Sequence, residues 1–243
     1  MIPSTPRRTW LFLGATLLLY FAPDLLPVAL RHAALYSLLT SLYLGGLVLL
    51  GFGLGPAICR ALVVREISEG PLRASVDQVL ASLREQGRAA PPVVLAEHAA
   101  PFVLTAGLLP KRCQVFVSST LAGRLSTNGL RFLLARAAAH ASMPQRLAAL
   151  LPILVFTVLV PDDPEGLTTW LALGGLLPLW LLLHWLSELD ADRRAARLMG
   201  LGASEGLREV LAASASPLDR LTPHPPLRWR LRAVSGQVAP PEW

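Results

Sequence analysis

The sequence predicts a mainly α integral membrane protein, with about four transmembrane helices and a small α+β domain on one side of the bilayer. Three observations carry that prediction. Charged residues make up 16% of the 243 positions and apolar ones 53%, with a mean hydropathy of +0.51, whereas soluble domains carry about 25% charge. The apolar residues gather in runs of membrane-spanning length. Of the 22 Lys and Arg, 11 fall in residues 60–146 and 8 in residues 187–243, two polar stretches set between and after those runs.

The first apolar segment, about Trp10 to Leu30, reads as an anchor rather than a removed signal peptide, because no small-residue cleavage site leads into a polar mature chain. Pro23, Asp24 and Pro27 predict a kink or an early end. The second, about Ala33 to Ile58, is long enough to span with tilt. Gly51 and Gly55 near its end form either a close-packing seam, toward the fourth segment or another chain, or ordinary membrane-helix glycine usage. The third, Leu147 to Val160, is 14 residues long, short for a bilayer. It reads as an extension of the preceding helix, bent by Pro144 and Pro152. The fourth, Leu167 to Leu186, is 20 residues with only Thr168, Thr169 and His184 as polar members. The division is a transmembrane hairpin (1–59), a sheet-and-helix region (60–146), a second transmembrane pair (147–186) and a helical part completing the domain (187–243).

Charge placement sets the orientation. The connector 161–166 carries Asp162, Asp163 and Glu165 and nothing basic. Both termini and the polar domain therefore face the cytoplasm. The 21 arginines against one lysine, Lys111, together with heavy Ala and Leu usage, point to a GC-rich bacterial genome and hence to a bacterial inner membrane. The net charge of +6 suits a surface facing anionic lipid. No basic, aromatic-interleaved stripe is present, so nucleic acid is not an expected partner. Cys59 and Cys113 have no pairing pattern and read as small buried hydrophobes.

Within the polar part, residues 71–87 suit an amphipathic helix with Leu72, Val76, Val79, Leu80 and Leu83 on one face and Gly87 as its stop. Short strands follow at 93–96, 101–107 and 113–118. Next comes a helix over 126–140, capped by Ser126, Thr127 or Asn128. Gly129 stands where an acidic capping-box partner belongs.

In this order the chain resembles the HtpX-type membrane zinc metallopeptidases, relatives of the CAAX prenyl proteases. The matching stretches are Leu125-Ser126-Thr127-Asn128, the run from Glu188 through Ala191, Asp192, Ala195 and Leu198 to Gly200, and His224-Pro225-Pro226. The resemblance covers nearly the whole chain. Antibiotic-sensor membrane metallopeptidases share the plan, and Pro101-Phe102 is similar to theirs, but they give no reason for the late His-Pro-Pro. The resemblance implies a gluzincin-like domain in which a His-Glu-x-x-His helix and a later glutamate hold zinc.

Carried onto this chain, the first ligand position is Arg136, the general base Ala137, the second ligand His140 and the third Glu188. A guanidinium offers no lone pair, and an alanine moves no proton. The expectation is a pseudopeptidase without catalytic residues and without a cofactor, in which Arg136 takes the ion's place and pairs with Glu188 or Asp192. Snorkelling of Arg136 toward water is the competing reading. His184 shares a face with Glu188 and, with His140, would make a non-standard ligand trio. In that alternative the chain is an active zinc endopeptidase of membrane proteins. The resemblance places His224 near the cleft; as a residue before two prolines it also reads as a turn. His98 reads as a surface turn residue, His32 as interfacial, and Arg228 to Arg232 as a solvated helix face with Trp229 packing. The expected partners are the lipid bilayer and a membrane or cytoplasmic protein, or a second copy of the chain. An extended segment would add to a sheet edge at Val115 and Val117.

Overall fold

The computed structural model describes residues 5–31, 35–86, 90–159, 167–214 and 224–236. Gly87, the acidic connector 161–166 and His32 lie outside them. Helix α1 (Pro6–Tyr20) opens with the Thr5 hydroxyl accepting the Arg8 N–H. The chain then breaks into a 3-10 turn (Ala22–Leu25) and a short helix α2 (Val28–Arg31), because each proline lacks the donor that a continuing helix needs. At 15 residues, α1 is about 22 Å long, less than a hydrocarbon core of about 30 Å. Helix α3 (Tyr36–Leu62) has 27 residues. Among the described residues it is the one helix long and apolar enough to cross a membrane. Arg8 donates to the carbonyls of Ala61 and Val63, and the Tyr43 hydroxyl donates to Leu19, so α1 and α3 run antiparallel. Gly55 permits a close approach to the domain, since a Cβ there would stand 3.3 Å from the Gly107 nitrogen, while Gly51 has nothing within 4 Å.

The domain begins with α4 (Pro71–Glu85), which buries Val76, Val79, Leu80 and Leu83, the face set by its helical period. Strands β1 (Val93–Ala96), β2 (Val103–Ala106) and β3 (Gln114–Ser118) follow, then helices α5 (Ser119–Gly123), α6 (Thr127–His140), α7 (Met143–Leu159), α8 (Leu167–Met199), α9 (Ala203–Ser214) and α10 (Leu227–Ser235). Helix α6 is the hub, packed against α8, α9 and α4, and nearly every side chain from Gly129 to Ala137 is buried. Helix α8 runs unbroken for 33 residues, so the apolar segment and the Glu188 region share one rigid rod.

The sheet order is β1-β3-β2, with β3 parallel to β1 and antiparallel to β2. This corrects the expected docking edge. Val115 and Val117 sit on the central strand, paired with Val93 and Leu95 on one side and with Thr105 and Val103 on the other, and both are fully buried. The alternation of 114–118 marked a strand, but a strand buried on both faces carries the same apolar signal at an edge as at the centre. The outer side of β1 is closed by Ile67 donating to Leu95 and Glu97 donating to Arg65. Among the described residues no further strand pairs with the outer edge of β2. Ser118 N–H donates to the Phe102 carbonyl, so residues 102 and 104 turn their backbone groups inward to β3, and Val103 and Thr105 turn theirs outward.

The missing acidic partner at Gly129 is supplied from another helix. Ser126 caps α6 by accepting the Gly129 N–H at 3.2 Å. The Glu209 carboxylate on α9 accepts both the Ser126 hydroxyl, at 2.7 Å, and the Ser126 backbone N–H. A Cβ on Gly129 would lie 2.7 Å from that carboxyl. The capping box is thus completed in space rather than along the chain. Glu209→Ala is expected to cost about 1–2 kcal/mol in denaturant unfolding. Gly129→Ala is expected to destabilise as well, despite the better helix propensity of alanine.

Candidate functional site

The period of α6 places Arg136, Ala137 and His140 on the side that faces α8, where Glu188 and Asp192, one turn apart, face back. Arg136 lies between them. Its Nε donates to Asp192 Oδ1 at 2.9 Å and one terminal nitrogen donates to Glu188 Oε2. His140 Nε2 lies 3.3 Å from Glu188 Oε1, and His224 Nδ1 lies 3.3 Å from Glu188 Oε2. Asp192 is 0% exposed and is gripped a second time by Arg230, whose Nε and Nη2 reach its two oxygens at 2.6 and 2.9 Å. Among the residues singled out from the sequence, Arg136, His140, Glu188, Asp192 and His224 converge, and Ala137 adjoins them as a buried methyl.

Arg230 was missed, and its place corrects the reading of 228–232 as a solvated face. Arg230 is buried together with Ala233 and Val234, the i, i+3, i+4 set that marks the inward side of a short helix. The available signal was Asp192 itself, since a fully buried carboxylate requires a cation. Trp229 remains partly exposed, edge-on to Trp185 with ring centroids 5.5 Å apart.

The electrostatics follow from burial and neighbours. For Arg136, desolvation opposes the charge, but Glu188 and then Asp192 outweigh it and raise its pKa. Burial likewise works against the Glu188 carboxylate. The Arg136 cation, a hydrogen bond from His224 and the fields of His140 and His224 outweigh it, and hold Glu188 well below the usual carboxylate range. His140 is the opposite case. Burial first, then the Arg136 cation, push its pKa from 6.5 down to about 3, and the attraction of Glu188 does not restore it.

A pH prediction follows. The unfolded imidazole takes up a proton near 6.5 and the folded one near 3, so between those values the unfolded state binds more protons and stability falls as pH falls. His140 alone is expected to remove about 2 kcal/mol between pH 7 and pH 5. The depressed Glu188 pKa adds loss of the same sign below about 4.5. Denaturant unfolding of the detergent-solubilised protein at pH 7, 6 and 5 checks this, with His140→Gln flattening the upper part of the profile. A flat profile in the unmodified chain would contradict the assignment.

At the α6 positions the residues do not fit the zinc that the sequence resemblance implies. The side chain at the first ligand position is a permanent cation already bonded to both acidic partners, and the general-base position holds a methyl group. No hydrolytic step can be drawn through Arg136 or Ala137. One other set converges among the described residues: ligand atoms of His184, Glu188 and His224 lie within 4.8 Å of one another. It has His224 where the sequence-based trio had His140. His184 stacks on Trp180 and faces His224, and its Nε2 is buried without a hydrogen-bond partner among the described residues.

These groups line a cavity of about 730 Å3. Its walls are β2 (Val103, Leu104, Thr105), α6 (Arg136, Ala137, His140), the start of α7 (Gln145, Arg146, Ala149), α8 (His184, Ser187, Glu188) and His224-Pro225-Pro226. The open edge of the sheet therefore borders the same space as the Arg136 cluster.

No family model matches the chain, and no curated protein matches it. Among solved structures it is similar to the crystal structure of S. mikatae Ste24p, with a TM-score of 0.56 and 17% identity over 96% of this chain and 67% of that one. At that identity the likeness speaks for the fold alone: this chain shares the fold of Ste24p.

Proposed function

We propose that the chain is a membrane-embedded peptidase-fold protein that holds a protein segment in its cleft and does not hydrolyse it. The observation that carries this reading is the Arg136 guanidinium, bonded to Glu188 and Asp192 beside Ala137, where a metal and a base would otherwise work. The segment binds in extended form along β2, using the outward backbone groups of Val103 and the outward N–H of Thr105, whose carbonyl is taken by Arg146. The resident partner is a membrane or cytoplasmic protein, or a second copy of the chain. The charge distribution supports a bacterial inner-membrane location with the domain and both termini cytoplasmic, and the apolar segments support four spans.

The test combines metal analysis with photo-cross-linking of purified full-length protein. The expected result is sub-stoichiometric zinc, no peptidase activity, and capture of an extended apolar peptide by a photoreactive residue at Leu104. Val103→Pro, which removes one outward N–H while leaving the β3 ladder intact, should abolish capture. Hydrolysis abolished by His140→Ala would overturn the inactive reading.

A second reading, an active zinc endopeptidase with a displaced ligand set, is favoured by the convergence of His184, Glu188 and His224. It requires about one zinc per chain, lost in both His184→Ala and His224→Ala. The nearby Arg136 cation opposes a divalent ion there, which is why the first reading is preferred.

A further inference from the structure

The charges around the cavity do not balance among the described residues. Arg136 and Arg230 are matched by Glu188 and Asp192. Arg146, at the start of α7, is left over. It is 8% exposed, and its two hydrogen bonds go to neutral carbonyls: Nε donates to His140 at 2.8 Å and Nη1 donates to Thr105 at 3.0 Å. No carboxylate pairs with it among the described residues. The Cys113 thiol, whose field reaches Arg146, is buried and donates to the Gly107 carbonyl, and burial pushes its pKa up, so it offers no counter-charge at neutral pH. A guanidinium has five N–H donors and stays protonated. A buried charge left unpaired is costly, and this one lines the cavity with donors to spare.

Its position gives the charge a direction of use. Thr105 presents the last outward carbonyl of β2 before the strand ends at Ala106, and Arg146 occupies that carbonyl. A segment pairing with the β2 edge therefore meets a cation where the edge closes. We propose that Arg146 is a carboxylate-binding residue, and that the cleft takes an extended peptide whose carboxylate, from its C-terminus or from an acidic side chain, lands on the free face of this guanidinium. Charge-assisted bonds of that kind are about twice as strong as neutral ones and give geometric selection. The peptide half of this proposal rests on the β2-edge reading; the anion half does not.

The experiment uses full-length protein in detergent and fluorescent peptides of one apolar sequence in three forms: free acid, C-terminal amide, and amide with one internal glutamate. The free acid or the glutamate peptide is expected to bind about tenfold tighter than the plain amide, and whichever does so identifies the source of the carboxylate. Arg146→Gln should erase the difference. Should that variant fail to fold, the acid-to-amide ratio on unmodified protein decides. Equal binding of all three peptides would overturn the proposal and leave peptide holding intact. If no peptide binds, melting temperatures with butyrate against butyramide decide. An Arg146-dependent rise with butyrate alone keeps the anion site while sinking the peptide reading, and identical behaviour of the two sinks both.

Discussion

Arg136→Ala is expected to destabilise the protein by about 3–5 kcal/mol, the range for removing one partner of a buried ion pair. The magnitude follows from what is left behind. Glu188 is nearly buried, and the neighbours left to it are the imidazoles of His140 and His224, each 3.3 Å away and neither a permanent cation. Asp192 keeps both bonds from Arg230, so the loss concentrates on Glu188. Arg136→Ala combined with Glu188→Gln should therefore recover much of the deficit, because the stranded charge is gone and only hydrogen bonds are lost. Arg136→Lys should fall between, since an ammonium keeps the charge but cannot fork to both carboxylates. Chemical denaturation in detergent reads all four proteins. A loss under about 1 kcal/mol for Arg136→Ala would place the pair in the class of exposed bridges and remove the main support for a guanidinium in the ion's place.

What the sequence made legible and what it hid divide along physical lines. Local signals worked where one short-range rule dominates. The face Val76, Val79, Leu80, Leu83 marked α4, the run Ser126-Thr127-Asn128 marked the start of α6, with Ser126 as the cap the structure selects, and Pro23 with Pro27 marked the break after α1. The order of strands was hidden, because β1 and β3 are both apolar runs, and pairing is set by long-range contacts that no window of sequence contains. That is why Val115 and Val117 turn out to lie on the central strand, and the proposed docking edge is at Val103 and Thr105. Two site residues were hidden for a related reason. Arg230 and Arg146 both sit in basic or amphipathic runs where arginine reads as solvated. Only the fold shows that one meets Asp192 and the other meets backbone carbonyls at the end of a strand. Arg136 was legible because the Leu125-Ser126-Thr127-Asn128 match and His140 lie on its own helix and bracket its position before any contact is known.

The largest gain of function is expected from Arg136→His together with Ala137→Glu. If α6 and α8 hold the register of a metallopeptidase, this pair of changes should create a zinc site where the unmodified chain has a salt bridge. Two imidazoles four residues apart would project from one face of α6, and Glu188 would supply the third ligand from α8, as three protein ligands with an open fourth position require. Ala137 is packed in the core but also borders the cavity, so a glutamate there must extend into that space. Asp192 would not be orphaned, since Arg230 still holds both its oxygens. The double variant should therefore bind about one zinc per chain and melt higher with zinc than with a chelator, because metal affinity becomes folding free energy. Adding Glu188→Gln should abolish both effects. Arg136→His alone isolates ligation from base chemistry, and it should bind zinc without gaining hydrolysis, which needs the carboxylate at position 137. Zinc binding by the single and double variants alike, with hydrolysis confined to the double, would mean that this cleft differs from a working enzyme by two side chains. Zinc binding by neither would mean that the divergence extends to how α6 and α8 are set against each other.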